Sequence, residues 1–253
     1  MTRAILAAVV LGAACSASLA ADRDTRVYEM RTYYAAPGKL EALHARFRDH
    51  TVKLFAKHGM TSIGYWVPLD NPDPKLIYLL AFPSEEAQQQ SWEAFKADAE
   101  WQTAKRKSEI GGTLVSKVES VSMRATDYSP PVRPSTEGDR VFELRVYTAA
   151  PGRLDALHAR FRDHTLKLFA KHGMTSIGYW APLTDEQGAK NTLIYLLAHK
   201  SVEAAKASFA AFRQDPDWLA ARKASEEKAG GPLTVTDGVK SAFMKATDYS
   251  PMQ

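Results

Sequence analysis

Hydrophobic and polar positions along the chain predict one set of secondary-structure elements, which then occurs a second time. Residues 27–34 place β-branched and aromatic side chains at every second position, which is typical of a strand. Pro37-Gly38 ends this strand and opens a helix near Lys39. The apolar residues of that helix are spaced by three, four and seven, and glycine at His58-Gly59 indicates its end. They are Leu40, Leu43, Phe47, Leu54 and Phe55.

The remainder of the unit predicts a hairpin, a second helix and a last strand. Residues 60–69 and 75–82 are apolar on both faces, and the polar, proline-rich turn between them joins them as a hairpin. A second helix begins near Ser84 and continues through Trp92 and Phe95, and a glycine pair ends it before a strand at 114–124. This βαββαβ order is that of a ferredoxin-like α+β fold, in which both helices cover one face of an antiparallel sheet.

The unit is duplicated in tandem. Residues 27–69 recur as residues 141–183 with 35 of 43 positions identical. LIYLLA at 76–81 returns at 193–198, and ATDYSP at 125–130 returns at 246–251. We therefore expect two α+β domains, at 21–128 and 141–253, joined by a linker at 129–140 that is rich in proline and polar residues.

The predicted hairpin strands are too apolar on their outward face to remain in water. The equivalent sheet of the other repeat is the nearest cover, so we expect an intrachain pseudo-dimer closed into a barrel. Polar residues of the first strand of each repeat alternate with apolar ones, and we expect this polar set to lie on the face away from the helices, inside the barrel. It consists of Glu29, Arg31 and Tyr33, with Glu143, Arg145 and Tyr147 in the second repeat.

Composition and charge narrow the class of protein. The 253 residues are 45% hydrophobic and 25% charged, which excludes a disordered or fibrous chain. The formal net charge of +4 comes from 33 basic and 29 acidic residues, an excess too slight for a nucleic-acid partner.

The N-terminus reads as a secretory signal peptide spanning residues 1–20. Arg3 supplies its positive end, an apolar run at 4–15 follows, and Ser18 and Ala20 fit a cleavage site after Ala20. The protein is therefore expected to be periplasmic or secreted, without stable membrane insertion after cleavage. Cys15, the sole cysteine, falls within this segment, and its lipidation or a retained membrane anchor are the alternatives.

A set of short motifs, in this order and spacing, resembles the NIPSNAP family of the dimeric α+β barrel superfamily. They are Tyr28-Glu29-x-Arg31, Pro37-Gly38, His58-Gly59, Gly64-x-Trp66 and, in the second repeat, Asp215-Pro216-x-Trp218. The resemblance covers both repeats and implies domains that pair, in a family whose members are largely uncharacterised. It also implies superfamily relatives that include haem-degrading and cofactor-free monooxygenases. The first repeat departs from the pattern at Asp98-Ala99-Glu100-Trp101, where it lacks the proline.

Two interpretations of the polar strand residues stay open. In a ligand cavity the arginine would bind an anion and the tyrosine would donate a hydrogen bond. In a purely structural role, Arg–Glu pairs would connect strands or domains. The hairpin tyrosines are expected to be core aromatics first and pocket walls second. They are Tyr65, Tyr78, Tyr179 and Tyr195, and Phe82 becomes His199 in the second repeat.

The histidines do not have the spacing of a helix-borne metal pair, so no metal site is predicted. His58 and His172 at the helix ends could act as an acid or base, or as axial haem ligands; the alternative is a hydrogen bond to a free helix carbonyl. His44 and His50 are expected to be solvated edge residues. Serine-nucleophile, nucleotide-binding and redox-thiol motifs are missing from the sequence.

The sequence favours a protein that binds a small molecule in its barrel cavity. The alternatives are a monooxygenase-type enzyme, either cofactor-free or haem-dependent, and a non-catalytic interaction scaffold. No cofactor is predicted, with haem as the alternative, and higher oligomers than the intrachain pseudo-dimer are left open. The ligand, the reaction and whether the protein is an enzyme do not follow from these residues.

Overall fold

The computed structural model describes residues 24–136 and 138–253. The predicted signal peptide, including Cys15, lies outside the described residues. The first repeat comprises β1 (Val27–Ala35), α1 (Leu40–Arg46), α2 (Val52–Lys57), β2 (Thr61–Pro68), β3 (Lys75–Phe82), α3 (Glu85–Ala97), α4 (Ala99–Ser108) and β4 (Val115–Ala125). The second comprises β5 (Val141–Ala149), α5 (Leu154–Arg160), α6 (Leu166–Lys171), β6 (Thr175–Pro182), a 3₁₀ turn (Asp185–Gln187), β7 (Thr192–His199), α7 (Val202–Gln214), α8 (Pro216–Lys228) and β8 (Thr234–Ala246). Within this part of the chain, no helix has both the length and the apolar content needed to cross a bilayer.

The first long helix of each repeat contains a π-helical turn that the sequence pattern does not predict. The turn spans Phe47–Thr51 and separates α1 from α2, and Phe161–Thr165 does the same in the second repeat. The Thr51 hydroxyl donates to the carbonyl of Arg46, five residues earlier, at 3.1 Å. The wider turn rotates the following side chains about the helix axis, so that residues before and after the turn face the same core.

The second helix of each unit is broken in two by an aspartate. Asp98 accepts hydrogen bonds from the backbone N–H groups of Glu100 at 2.7 Å and Trp101 at 3.2 Å, which makes it the N-cap of α4. Asp215 caps α8 in the same way, through the N–H of Asp217. The break therefore occurs in both repeats, although only the second has proline as the first helical residue.

The eight strands form one closed barrel in the order β1-β3-β2-β8-β5-β7-β6-β4. Within each repeat the four strands pair antiparallel, as the ferredoxin-like order requires. The repeats join through two short ladders, β2 with β8 and β4 with β6. The predicted intrachain pseudo-dimer is confirmed.

The barrel interior is filled with apolar side chains. Six of the largest are fully buried there: Tyr28, Trp66, Met123, Phe142, Trp180 and Met244. Trp66 folds back over Gly64, where a Cβ atom would lie 2.3 Å from the indole ring, and Trp180 covers Gly178 in the same way. The expectation of a barrel cavity that shelters charged side chains is therefore wrong.

The repeated ATDYSP segments are arms that cross from one repeat to the other. In the arm at 246–251, Thr247 N–H donates to the carbonyl of Tyr65 at 2.9 Å, and Ser250 Oγ accepts from the N–H of Tyr65 at 3.0 Å. The arm at 125–130 makes the equivalent contacts with Tyr179. We call these segments the exchanged arms. The residues just beyond them, Val132 and Met252, are buried in the barrel interior, so the start of the predicted linker is packed.

Candidate functional site

The polar residues of β1 and β5 lie beneath the helices and not inside the barrel, which corrects the sequence-based expectation. Arg31 pairs directly with Tyr78 of β3, so both side chains share the helix-facing side of the sheet. Tyr28 of the alternate set belongs to the barrel interior, with Met30 packed against it. The barrel interior is closed on all sides, so the more apolar of the two alternating sets of side chains packs there. The helix layer leaves part of the sheet open, so the polar set lies on that side.

Glu29 is a buried carboxylate with three donors. It accepts from Arg31 Nη1 at 2.7 Å, Gln88 Nε2 at 2.7 Å and Trp92 Nε1 at 2.6 Å. Helix α3 supplies both Gln88 and Trp92, so the helix is tied to β1 through this one carboxylate. These hydrogen bonds offset the cost of burying the charge.

Arg31 is less completely paired than Glu29. Its guanidinium carbon lies 4.3 Å from the centroid of the Trp92 ring and 5.6 Å from that of Tyr33, within the range of cation–π attraction. Burial opposes its charge, but the neighbouring Tyr78, Tyr33 and Glu29 raise the pKa of Arg31 above its ordinary value, so it stays protonated. Its Nε atom is buried and has no hydrogen-bond acceptor.

The equivalent guanidinium of the second repeat donates a hydrogen bond from each of its three nitrogen atoms. Arg145 donates through Nε to Tyr195 Oη at 2.8 Å, through Nη2 to Tyr147 Oη at 3.3 Å, and through Nη1 to Glu143. His199 Nε2 lies 3.1 Å from Glu143 and replaces the two α3 donors of the first repeat. The two repeats therefore hold the same Arg, Glu and Tyr residues with different pairing.

The sheet beside Arg31 is open to solvent. Ser120 of β4 is directly opposite Arg31 and is exposed, and Val118, opposite Tyr33, is 44% exposed. The Arg31 side chain itself is 18% exposed. We call Arg31, Tyr33, Trp92, Val118 and Ser120 the Arg31 site, because a molecule that covers this strip of β4 would reach the guanidinium.

His58 and His172 connect helices. His58 Nε2 lies 2.8 Å from Asp98 Oδ2, which also accepts from Lys57 Nζ at 2.6 Å. The hydrogen bonds from Lys57 and His58 hold the pKa of Asp98 well below its usual range. His172 and Lys171 meet Asp215 in the same way. The expected partner was a helix carbonyl, and the actual one is the carboxylate that caps the next helix.

The residues present do not fit an axial haem ligand at His58 or His172. Each imidazole already directs Nε2 to an aspartate, and that carboxylate is also bound by a lysine. Ligation through Nε2 would therefore disrupt the helix cap. In the part of the chain that the structure describes, no group of three or more His, Cys, Asp or Glu side chains is arranged to hold a metal ion.

The hairpin tyrosines lie in the aromatic cores between sheet and helices. All four are fully buried, and burial raises the pKa of each above its ordinary value. Tyr65 Oη lies 2.6 Å from Ser62 Oγ, and Tyr179 is paired with Ser176 at the same distance. Tyr78 and Tyr195 lie beside the arginines: Tyr195 Oη accepts from Arg145 Nε, whereas Tyr78 Oη is buried without a hydrogen-bond partner.

Sequence reasoning missed two histidine–tyrosine pairs formed by the exchanged arms. Tyr249 Oη lies 2.8 Å from His44 Nδ1, and Tyr128 Oη lies 2.7 Å from His158 Nδ1. His44 is 8% exposed, so its expected solvated position is wrong. Burial lowers the pKa of both histidines. The recurrence of ATDYSP indicated a shared role, but a repeat carries no information on which half its tyrosine contacts.

A closed eight-stranded barrel of two ferredoxin-like halves, with its helices outside, defines a dimeric α+β barrel protein whose two halves are one chain. The NIPSNAP family model matches residues 28–130 and 142–251. The chain belongs to the NIPSNAP family, as its motifs led us to expect.

Solved structures share this fold at low sequence identity. An anthrone oxidase-like protein has a TM-score of 0.57 at 14% identity, covering 91% of this chain and 95% of that one. A monooxygenase-like protein from Lactobacillus acidophilus NCFM has a TM-score of 0.55 at 11% identity, covering 88% and 94%. A NIPSNAP family protein from Agrobacterium tumefaciens is 23% identical over 42% of this chain and 92% of its own, with a TM-score of 0.38. No curated protein matches the sequence.

Proposed function

We propose that this protein binds a small organic molecule at the Arg31 site. The observation that carries the proposal is the buried Nε of Arg31, which has no acceptor although the same atom of Arg145 donates to Tyr195. A buried donor without an acceptor costs about 1–3 kcal/mol, and such groups are rare in folded proteins. An oxygen atom bound at the exposed part of the guanidinium would give Arg31 a further acceptor.

The surroundings of Arg31 restrict the ligand. A cation with a free N–H favours a ketone, phenolate or carboxylate oxygen. The exposed Val118 favours an apolar body beside that oxygen. Binding would take place on the helix side of the sheet, because the barrel interior is filled.

The matched pair of arginines tests the proposal. The protein is purified from its own host and analysed by native mass spectrometry as wild type, Arg31→Gln and Arg145→Gln. We expect a retained molecule that Arg31→Gln loses and Arg145→Gln keeps. Equal retention by both variants would contradict the assignment.

A titration with anthrone provides a defined probe, chosen as a flat ketone because one structural neighbour is anthrone oxidase-like. Tryptophan fluorescence reports binding, since Trp92 lies against Arg31. Loss of a hydrogen bond to a charged group is worth about 1.5–3 kcal/mol, so Arg31→Gln should weaken binding by roughly tenfold or more. If wild type neither retains a molecule nor binds anthrone, the scaffold alternative is favoured.

We also propose that residues 1–20 are removed during export. Arg3, the apolar run at 4–15 and the small residues Ser18 and Ala20 support this. N-terminal sequencing of protein from the periplasm or the medium should begin at Ala21. Recovery of the chain in the cytosol with Met1 in place would contradict export.

A further inference from the structure

A groove between α5 and α8 of the second repeat has no assigned role. Its volume is 360 Å³, and five alanines contribute to its walls: Ala156, Ala159, Ala221, Ala224 and Ala229. This is within the range of small-molecule sites, roughly 300–1,000 Å³. We call it the α5–α8 groove. It is on the outer surface of the helix layer of the second repeat, and it is distinct from the Arg31 site of the first.

A buried arginine lines this groove and is weakly paired. Arg160 is 6% exposed, and its Nη1 lies 3.4 Å from Glu226 Oε1. The same oxygen accepts from Arg222 Nε at 3.1 Å, so two guanidinium groups share one acceptor atom. The Nε of Arg160 is buried with no acceptor.

The first repeat shows a closer ion pair at the same place. Arg46 Nη1 lies 2.9 Å from Glu109 Oε1 and 3.4 Å from Ser108 Oγ, although its Nε also has no acceptor. The competing arginine is replaced there by Lys105. The weaker pairing of Arg160 thus follows from a residue that is particular to the second repeat.

Two further differences between the repeats favour an anion in the groove. Ala224 occupies the position of the much longer Lys107, which leaves space between the helices. Lys228 occupies the position of Gly111, which adds a cation to the lining. Among the described residues Lys228 has no carboxylate within 4.0 Å. The lining therefore has two cations, Arg160 and Lys228, against the single carboxylate of Asp163, beside His164.

We propose that the α5–α8 groove binds a small monocarboxylate, whose charged end pairs with Arg160 and Lys228 and whose apolar body lies against the alanines. An arginine can hold a carboxylate through two parallel hydrogen bonds, and Arg160 has donor capacity that Glu226 does not satisfy. The alanine side chains leave room for an aromatic ring or a short alkyl chain. This site does not depend on the proposed function of the Arg31 site.

Calorimetric titration of the protein with benzoate and with hexanoate tests this, and benzamide serves as the neutral analogue of benzoate. We expect a benzoate site that Arg31→Gln retains, with benzamide binding at least tenfold more weakly. Ala224→Met fills the groove without changing charge and should abolish binding. Lys228→Gln should weaken binding severalfold. Lys107→Met, at the matched position of the first repeat, is the control and should bind as wild type does.

Position 224 is exposed, and the first repeat accommodates a long side chain at the matched position, so Ala224→Met is expected to fold. A circular dichroism spectrum and a melting curve confirm this before titration. The proposal is overturned if wild type binds neither carboxylate at millimolar concentration, or if Ala224→Met binds like wild type. Benzoate binding that is lost only in Arg31→Gln would also overturn it, and would instead place the carboxylate at the Arg31 site.

Discussion

Gly64 is the position where the filled barrel can be tested most directly. A Cβ atom there would lie 2.3 Å from Cη2 and Cζ2 of Trp66 and 3.0 Å from Cε2. Real Cβ atoms do not approach other atoms this closely, and a ring carbon of a fully buried indole cannot yield as a flexible chain end can. Trp66 also packs against Phe142, with the ring centroids 5.6 Å apart. Gly64→Ala must therefore displace the indole within an interior that is already packed.

Overpacking a core costs about 1–3 kcal/mol and sometimes more, and we expect Gly64→Ala at the upper end. For a chain of this length that corresponds to a fall in Tm of roughly 6–12 °C. Urea denaturation measures the free energy of unfolding, and calorimetry measures Tm. Gly38→Ala is the control, because a Cβ there meets nothing within 4 Å and its φ of +70° costs only about 1–2 kcal/mol.

A second substitution separates steric clash from other causes. Trp66→Phe removes the ring atoms that approach Gly64, so in that background Gly64→Ala should cost much less than in the wild type, a coupling that a double-mutant cycle measures. The reasoning is refuted if Gly64→Ala alone changes the free energy of unfolding by less than about 0.5 kcal/mol, which is usual for harmless surface substitutions. The interior would then have spare room, and a barrel cavity would have to be reconsidered.

Two other predictions follow from the buried polar residues. Burial lowers the pKa of His44 and His158, so the unfolded chain binds more protons below about pH 6.5 and stability should fall from pH 7 to pH 5. The double variant His44→Gln/His158→Gln should show a shallower fall in Tm over this window, and an unchanged slope would count against the argument. His199→Phe removes one partner of the buried carboxylate in the second repeat and should cost about 1–3 kcal/mol in urea denaturation. Adding Ala205→Gln and Phe209→Trp copies the partners of the first repeat and should recover much of that loss; no recovery would mean that those side chains do not replace the histidine.

The order of elements could be predicted because each leaves a local pattern. The period of two in residues 27–34 and the helical spacing from Leu40 to Phe55 reflect burial on one side, and both are borne out by β1 and by α1 with α2. The duplicated sequence and the apolar hairpins led correctly to a closed pseudo-dimer. Each of these inferences rests on residues that are neighbours along the chain or copies of one another.

The face of the sheet could not be predicted in the same way. Alternation shows that Glu29 and Arg31 share a side and that Tyr28 and Met30 share the other, but both sides of this sheet are covered. Which set of side chains lies inside the barrel depends on whether the facing sheet or the helix layer packs more tightly, and that is a property of the assembled barrel. Two of the three donors to Glu29 come from Gln88 and Trp92, about sixty residues away, so the pairing of the carboxylate is also a tertiary property.

The π-helical turns and the exchanged arms are determined even less by neighbouring residues along the chain. The hydroxyl of Thr51 donates to a carbonyl five residues earlier. The π-helical turn at this place competes closely in stability with an ordinary α-helical turn. The contact between His44 and Tyr249 spans 205 residues. A single sequence contains nothing that distinguishes an arm folded onto its own half from one that crosses over.

The crossing of the arms has a consequence for the order in which the chain can mature. A polypeptide is made from its N-terminus, yet the aromatic core of the first repeat includes Tyr249, and the barrel interior includes Met252. The half that is synthesised first therefore stays incompletely packed until residues 249–252 of the second repeat have been made. Contacts of such long sequence separation form slowly, so the first repeat is expected to complete its packing only together with the second.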